Sequence, residues 1–360
     1  MKIAYLVGAA GVPVRGPSGS SAHVRGLARG LLDEGHDLRV WAPRLVDHRG
    51  AHGNEVPAEA TGVMGWPSWW SGARELSEIG TSRRLSRAVI ERAWAEGLPD
   101  RLIERHGLFN DAGWRASGAL DRPWTLEVNA PLTLERERYE GLRLKRLAAR
   151  WEAEVLRAAP DVIAVSDWLA RWLTDEIGCR RVRRVWNGVS GLTGDRARGR
   201  QLLGANQVEK VIGFVGSMKP WHGFERLARV ASALGARLAL IGSPPAQAPL
   251  GALLPGNLGP QDLADAVAAL DLGLAPYPDD APPWFCPLKI LDYRAQGTPV
   301  IATDRGECRA LVGEGGQVVE PADEDALIDA AKSWLGRRAT PWVRSWRQVA
   351  HEVVHGAPFH

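Results

Sequence analysis

The sequence contains little cysteine and no long apolar run. Its three cysteines, Cys179, Cys286 and Cys308, lie far apart and form no Cys-x-x-Cys pair. This spacing argues against a disulfide scaffold or a zinc site, and it fits a reducing cytosol. The apolar residues Met1 to Val7 are too few for a signal peptide, and no stretch approaches the roughly 18 residues of a membrane span. We therefore expect a cytoplasmic protein.

The chain also lacks a strong charge of either sign. Its net charge of +3 is too small to indicate a nucleic-acid partner, while its 360 residues are enough for two domains. Arginines and glutamates alternate along a predicted helix at 132–159, which favours a solvated, ion-paired face. Because residues 180–184 add four arginines, a weak peripheral contact with the inner membrane surface remains an alternative.

Glycine is plentiful near the N-terminus, between a predicted strand at 3–7 and a helix at 22–34. A second strand follows at 38–41, which makes a Rossmann-like β-loop-α-β start. The glycines do not match G-x-G-x-x-G, so a dinucleotide site is weakly supported. The loop either brings backbone N–H groups to a phosphate or acceptor, or forms a plain tight turn. Its candidate residues are Gly16, Ser18, Gly19 and Ser20.

Polar residues follow two further predicted strands of this first half. Arg105 and His106 come after the strand at 102–104 and are interpreted as facing an acceptor, and Glu127 and Asn129 end the strand at 124–128. The carboxyl ends of parallel strands are where α/β sheets bind ligands. These four residues are therefore candidates for an acceptor-side or catalytic group.

The second half repeats the α/β pattern after a glycine-rich segment at 190–209, interpreted as a linker. Its last well-defined unit predicts a helix from Leu288 to Ala295, entered through Pro287. A helix start directs unpaired N–H groups at an anion, to which Lys289 adds a positive charge, and Asp292 offers a carboxylate. The pattern suits a phosphorylated, hydroxyl-bearing ligand, although an ordinary αβ unit of a parallel sheet is the alternative.

Four passages resemble family 4 retaining glycosyltransferases of the GT-B fold. Val165-Ser166 with Asn187-Gly188-Val189 is similar to "V-S…N-G-V", and Gly35-His36 to "x-G-H-x-V". The loop 214–223, F-V-G-S-M-K-P-W-H-G, resembles "F-V-G-x-x-x-x-x-K-G". Residues 287–303, P-L-K-I-L-D-Y-R-A-Q-G-T-P-V-I-A-T, resemble "P-L-K-x-x-E-Y-M-A-x-G-x-P-V-V-A-T".

The resemblance implies an α/β protein with two Rossmann-like domains facing a central cleft. An acceptor-side domain would span 1–189 and a nucleotide-sugar domain 190–336, with a helix in 337–360 returning to the first. The implied activity is hexosyl transfer with retention from a nucleoside diphosphate sugar, UDP favoured and GDP next. The acceptor would be a small molecule, a glycan or a lipid-linked sugar.

The resemblance also implies roles for individual residues. Lys219 and His222 would stabilise the departing diphosphate together with the helix N–H groups, without a metal or other cofactor. Asp292 would accept the ribose hydroxyls. The remaining donor-site residues implied are Gly216, Ser217, Gly259, Pro287, Leu288 and Lys289.

The phosphate loop departs from the family pattern at two positions. Ser217 stands where relatives often have arginine, with Lys219 two residues later, and His222 stands where they have lysine. If imidazolium replaces the lysine, donor affinity should weaken as the pH rises through the His222 pKa.

The carboxylates of the family pattern are altered as well. Trp284 stands at the first glutamate of the Glu-x7-Glu motif and is interpreted as a lid or a core residue. Asp292 replaces the second glutamate, and Asn129 or Glu127 replaces the usual first-domain histidine. These changes leave two alternatives open: a catalytically degenerate sugar-nucleotide-binding partner protein, or another GT-B activity such as an epimerase.

Overall fold

The computed structural model describes residues 1–46, 56–65, 72–243 and 247–356. These residues form two compact units, one made of Met1–Trp186 with Trp346–His360 and the other of Asn187–Ser345. The divisions fall close to the predicted borders after residues 189 and 336, but not at them. None of the described helices is both long and apolar enough to span a bilayer.

The first unit is built on a parallel sheet whose described strands run in the order β3-β2-β1-β4-β5-β6-β7. Strands such as β5 are buried along their whole length because helices cover both faces of a parallel sheet. The strands are β1 Lys2–Val7, β2 Asp37–Ala42, β3 Ala58–Ala60, β4 Arg101–Arg105, β5 Trp124–Val128, β6 Asp161–Ala164 and β7 Val182–Arg184.

The helices of this unit connect successive strands. They are α1 Gly19–Asp33, α2 Ala73–Glu96, α3 Ala112–Leu120, α4 Leu132–Tyr139, α5 Lys145–Ala158, α6 Asp167–Arg171 with a π-helical continuation Trp172–Ile177, and α13 Trp346–His355. The prediction of one helix over 132–159 is wrong. Gly141, with φ +78°, lies between α4 and α5, and its left-handed backbone ends the helical path.

The second unit has the same architecture, with its strands in the order β10-β9-β8-β11-β12-β13. Its core joins apolar residues of these strands to α8 and α12, and includes Ile212, Phe214, Leu227, Leu272 and Ile301. The strands are β8 Val211–Val215, β9 Arg237–Ile241, β10 Leu253–Gly256, β11 Leu272–Ala275, β12 Val300–Thr303 and β13 Gly316–Val319. The predicted pair of Rossmann-like α/β domains is thus confirmed.

The helices of the second unit include one that the sequence did not predict. The supposed linker at 190–209 contains α7, which begins after Asp195, whose carboxylate accepts from the N–H groups of Ala197 and Arg198. The helices are α7 Arg196–Leu203, α8 Phe224–Leu234, α9 Pro260–Ala268, α10 Leu288–Ala295, α11 Cys308–Val312 and α12 Glu324–Trp334, with 3-10 turns at Pro220–His222 and Gly313–Gly315.

The C-terminal helix α13 belongs to the first unit and packs closely on α1. A Cβ atom on Gly26 would fall 2.1 Å from the Trp346 ring, and one on Gly30 would fall 2.1 Å from the Trp346 carbonyl oxygen. Two glycines on one face of α1 therefore let the backbones approach. Trp342 lies before this helix, and its N–H donates to the Arg294 carbonyl at 2.9 Å.

We predict that Gly30→Ala destabilises the protein by roughly 1–3 kcal/mol, because the new methyl group meets backbone rather than a movable side chain. Gly118→Ala is the control, since its Cβ would meet nothing within 4 Å on an exposed part of α3. That change should stabilise by about 0.5–1 kcal/mol through helix propensity. Thermal unfolding midpoints compare the two variants, and equal shifts would contradict the close approach.

Candidate functional site

The loop that follows β8 carries four of the predicted donor-site residues. Gly216 donates its N–H to the Ile241 carbonyl at 2.9 Å, which ties the loop to the end of β9. Gly223 has φ +67°, and a Cβ there would fall 1.8 Å from the carbonyl oxygen of Pro276, just after β11. The loop is therefore held at the carboxyl ends of three neighbouring strands. Lys219 and Ser217 on it are exposed, and the Lys219 ammonium lies 4.7 Å over the Trp221 ring.

Lys289 lies in the first turn of α10 and is 7% exposed. Its Nζ donates to the Tyr277 hydroxyl at 3.0 Å and lies 4.2 Å over the Phe214 ring. Within the described residues no carboxylate forms an ion pair with it, and burial lowers its pKa to about 7. A buried ammonium is costly without a counter-ion, so this position favours an anionic ligand.

The start of α10 leaves its N–H groups without a side-chain cap. The helix begins at Leu288 as predicted, and its N-cap residue Pro287 provides no side-chain acceptor for the N–H groups of Leu288 and Lys289. Gly216 approaches this turn, since its Cβ would lie 3.6 Å from Lys289 Cε. The structure therefore brings together the predicted residues of the β8 loop and of α10.

Asp292 follows Lys289 by one helical turn and is half-buried. Burial raises its pKa to about 7, although the nearby Lys289 opposes that rise. Its carboxylate has no hydrogen-bond or ion-pair partner among the described side chains, whereas most carboxylates of this unit have one. It is thus an open acceptor beside a cation, which suits a ligand that carries both phosphate and hydroxyl groups.

His222 does not provide the expected cation. Burial, followed by repulsion from Lys289 and Lys219, lowers its pKa to about 2. Its Nδ1 accepts from the Lys219 N–H at 3.2 Å, so the neutral ring carries its proton on Nε2. The prediction of an imidazolium at this position is wrong, and His222 can offer a bound phosphate only a neutral N–H.

Three further residues from the region of the predicted site make no described contact with Lys289 or Asp292. Trp284 is 7% exposed, which fits the core interpretation of that residue. Cys286 is 6% exposed and its carbonyl accepts from Asn187 Nδ2 at 2.8 Å, so it is a packed residue. Gly259 caps α9 beside open space, but no contact joins it to Lys289 or Asp292.

In the first unit, Glu127 lies at the centre of a buried polar cluster and is 2% exposed. It pairs with His23, accepts from Asn129 Nδ2 at 2.8 Å and Tyr5 Oη at 3.2 Å, and lies 3.5 Å from Arg105 Nη1. Burial opposes its ionisation, but His23, Arg105 and Asn129 outweigh burial and lower its pKa to about 2. Arg105 and Glu127 are partners in the β4–β5 register, which explains their meeting.

His23 is a member of this cluster that sequence reasoning missed. It lies on the apolar face of α1 next to Val24, where it looks like a core residue, and its ring meets the Trp346 ring edge-on at 5.0 Å. No nearby part of the sequence indicates its carboxylate partner, because Glu127 lies on strand β5, more than a hundred residues later.

The other acceptor-side candidates make structural contacts. His106 is 5% exposed and lies 3.3 Å from Glu152, whose carboxylate also accepts from the N–H groups at the start of α4. Ser18 caps α1 by accepting from the Ser21 N–H, and the Gly16 carbonyl accepts from Arg25. These bonds fit the tight-turn alternative, and an acceptor role for Gly16, Ser18, Gly19, Ser20 and His106 stays a prediction.

Comparison with known families matches both units. Residues 17–190 match the model of Glycosyltransferase Family 4, and residues 209–337 match that of Glycosyl transferases group 1. Together they cover most of the chain. The chain belongs to the family 4 glycosyltransferases of the GT-B fold.

Individual relatives are similar over different extents. A GDP-mannose-dependent alpha-mannosyltransferase of Corynebacterium glutamicum is 30% identical over 151 residues, which span 39% of this chain and 36% of that protein. The match therefore covers little more than a third of this relative's length.

Solved structures show the same GT-B fold. Sucrose-phosphate synthase from Thermosynechococcus elongatus is 18% identical with a TM-score of 0.70, covering 99% of this chain and 94% of its own. HepE of Anabaena, in complex with UDP and glucose, is 18% identical with a TM-score of 0.65, covering 92% of this chain and 89% of its own.

We predict that nucleoside diphosphate affinity falls as the pH rises above about 7. Lys289, with a pKa of about 7, is charged below that pH and loses its charge above it. The Kd for UDP or GDP should then increase up to about tenfold per pH unit. Lys289→Met should remove this dependence and weaken binding, which calorimetry between pH 5.5 and 9 measures.

Two control variants separate the other titrating groups of this site. His222→Gln should keep the pH profile, since His222 is neutral throughout this range. Asp292→Asn removes the carboxylate that titrates beside Lys289. The assignment of the pH dependence to Lys289 would be contradicted if His222→Gln removed the dependence of Kd on pH and Lys289→Met left it unchanged.

We also predict that Glu127→Gln costs about 3–5 kcal/mol at pH 7, because it leaves the buried Arg105 and His23 without their carboxylate. The depressed pKa of Glu127 contributes stability above pH 4.5, and this is lost as the pH falls towards 2. The variant should therefore lose less stability than the wild type between pH 5 and 3. Glu154→Gln, in an exposed pair with Arg150, is the control and should change urea midpoints little.

Proposed function

We propose that this protein transfers a hexosyl group from a nucleoside diphosphate sugar to a hydroxyl acceptor, with retention of the anomeric configuration. One observation supports this most strongly. Lys289 is a buried cation at the uncapped start of α10, without a carboxylate ion-pair partner among the described residues, and the open carboxylate of Asp292 lies one turn away. A nucleoside diphosphate provides a partner for each residue: its phosphates would compensate the charge of Lys289, and its ribose hydroxyls would donate to Asp292.

The proposed chemistry breaks the bond between the anomeric carbon and the diphosphate oxygen. A bond from the acceptor oxygen to that carbon forms on the same face, and the acceptor proton passes to the departing phosphate. Negative charge grows on the diphosphate as the bond breaks. Lys289 and the N–H groups of Leu288 and Lys289 stabilise this charge in place of a metal ion. The neutral Nε2–H of His222 is available as a further donor.

In this proposal, Glu127 of the first unit positions neighbouring side chains and takes no direct part in proton transfer. The Glu127 carboxylate is buried and already bound by Asn129, Tyr5, Arg105 and His23, so it orients its neighbours and does not exchange protons. Its low pKa agrees, since a base poised for proton transfer has a pKa near the working pH.

The donor base and sugar are proposed only as a class. The C. glutamicum relative is named for GDP-mannose, and HepE was solved with UDP and glucose. UDP- and GDP-hexoses are therefore the donors to test, alongside the alternative of a binding protein without turnover. The burial of Trp284 favours that alternative, because this residue replaces a carboxylate of the family pattern and cannot hold sugar hydroxyls as a carboxylate does.

A membrane-linked acceptor gains little support from the basic helices. Arg136 forms an ion pair with Glu78 at 2.6 Å, Arg150 pairs with Glu154, and Lys145 lies 3.8 Å from Glu137. The charges of α4 and α5 are partly neutralised within the chain, which favours the solvated-face interpretation. Contact with a membrane surface stays a prediction.

We predict slow hydrolysis of one of UDP-glucose, UDP-galactose, GDP-glucose or GDP-mannose without an acceptor, and faster release of the nucleotide with a panel of alkyl glycosides. Lys289→Met should lower the rate by about 10²–10³-fold, as expected for loss of one preorganised charge. Exposed Ser217→Ala is the matched control and should lower it far less. Proton NMR of the product's anomeric signal tests retention. Tight nucleotide-sugar binding without turnover of any donor would instead support the binding protein.

A further inference from the structure

A cluster of metal-binding side chains lies where α13 meets the end of α1. Glu34 caps α1, and His351 and His355 project from α13. Their ligand atoms all lie within 4.8 Å of one another. All three residues belong to the first unit, and neither family resemblance nor the proposed transfer reaction uses them.

The two histidines have the spacing that a helix needs to hold one ion. They are four residues apart, so they lie on one face of α13, and their ring centroids are 4.6 Å apart. Residues 351–355 read His-Glu-Val-Val-His, the H-E-x-x-H pattern that places two imidazoles on one zinc ion when it lies on a helix. The pattern alone is weak, but here it is helical and a third donor faces it.

Glu34 presents that third donor. Its Oε1 accepts from Arg347 Nε at 2.6 Å, and its Oε2 lies 3.1 Å from His351 Nδ1. Arg347 thus fixes the carboxylate and leaves Oε2 directed at the histidines. A carboxylate oxygen beside imidazole nitrogens is a ligand combination that zinc takes in proteins.

His36 provides a third imidazole, and a fourth possible ligand, close to the cluster. Its ring centroid lies 6.4 Å from that of His355, and its Nε2 is buried without a hydrogen-bond partner among the described residues. A buried imidazole nitrogen without a partner among the described residues is available as a ligand to an ion at this cluster.

We propose that Glu34, His351 and His355 bind one zinc ion or a similar transition metal, with His36 as the fourth ligand, and that the ion fastens α13 to α1. Zinc holds nitrogen and oxygen ligands at about 2.0–2.2 Å, which places ligand atoms roughly 3.3 Å apart. Side-chain rotations that move the ligand atoms by about an ångström would bring them from the observed spacing to this separation. Three imidazoles with one carboxylate suit Zn²⁺, Ni²⁺ or Cu²⁺, whereas Mg²⁺ and Ca²⁺ prefer oxygen alone.

The site is structural rather than catalytic. Four protein ligands leave no open position for a reacting water. Glu34 follows the last turn of α1, beside the start of β2, whereas Glu127 lies at the carboxyl end of β5. The metal site is therefore at the opposite edge of the sheet from the polar cluster, and it does not depend on the proposed transfer reaction.

The test uses the full chain without a polyhistidine tag, stripped with EDTA and titrated with zinc chloride by calorimetry. We expect one zinc per chain and a thermal midpoint that rises by several degrees with excess zinc. The double variant His351→Gln/His355→Gln should bind more than about 100-fold more weakly and lose the rise. Co²⁺ substitution should give the intense visible absorption of a four-coordinate site, weakened in His36→Gln.

His222→Gln is the matched control, because it removes a histidine from the other unit and should leave zinc affinity unchanged. Circular dichroism of the metal-free variants checks that they fold. The proposal is overturned if the stripped wild type binds no zinc at micromolar concentrations. It is equally overturned if the double variant binds zinc as tightly as the wild type, which would place the ion on other histidines.

Discussion

The second unit depends on a charge that folding leaves uncompensated. Lys289 is enclosed by the rings of Phe214 and Tyr277 and a single hydroxyl, and burial lowers its pKa by several units towards 7. A ring face and a hydroxyl stabilise an ammonium less than a carboxylate does. The fold therefore contains an unfavourable interaction that an anion would relieve, which is why we propose that a diphosphate binds here.

This constraint explains the state of the residues around it. Burial, reinforced by the positive charge of Lys289, makes a cation at His222 costly and lowers its pKa, so the imidazole is neutral. The same charge partly offsets the cost of burying Asp292, which remains accessible with a pKa near 7. The pattern of one cation, one neutral donor and one open carboxylate follows from burial around Lys289, and it could not be obtained by assigning each residue its solution charge.

The sequence predicted well what local chemistry determines. Both Rossmann-like units, the helix entered at Pro287 and the positions of Lys289 and Asp292 one turn apart on α10 follow from short-range patterns. It failed where a partner lies far along the chain. His23 and Glu127, or Glu34 and His351 at a separation of 317 residues, meet only because strands align and α13 returns to α1. The predicted charge of His222 was wrong for the same reason, because its burial and its neighbour Lys289 depend on residues that are distant in the sequence.

The two units therefore use buried charge in opposite ways. The Glu127 carboxylate has four hydrogen-bond or ion-pair partners, and these contacts connect β1, β4 and β5 to α1. It therefore needs no ligand to compensate its charge. Lys289 lacks such partners, so its burial lowers the stability of the fold. Such a loss of stability is expected at a residue whose function is binding. A change that improved packing at Lys289 would remove this driving force for anion binding, whereas a change at Glu127 would disturb the contacts that join β1, β4 and β5 to α1. This difference in how far each buried charge is satisfied is why we propose Lys289 as a binding residue and Glu127 as a positioning residue.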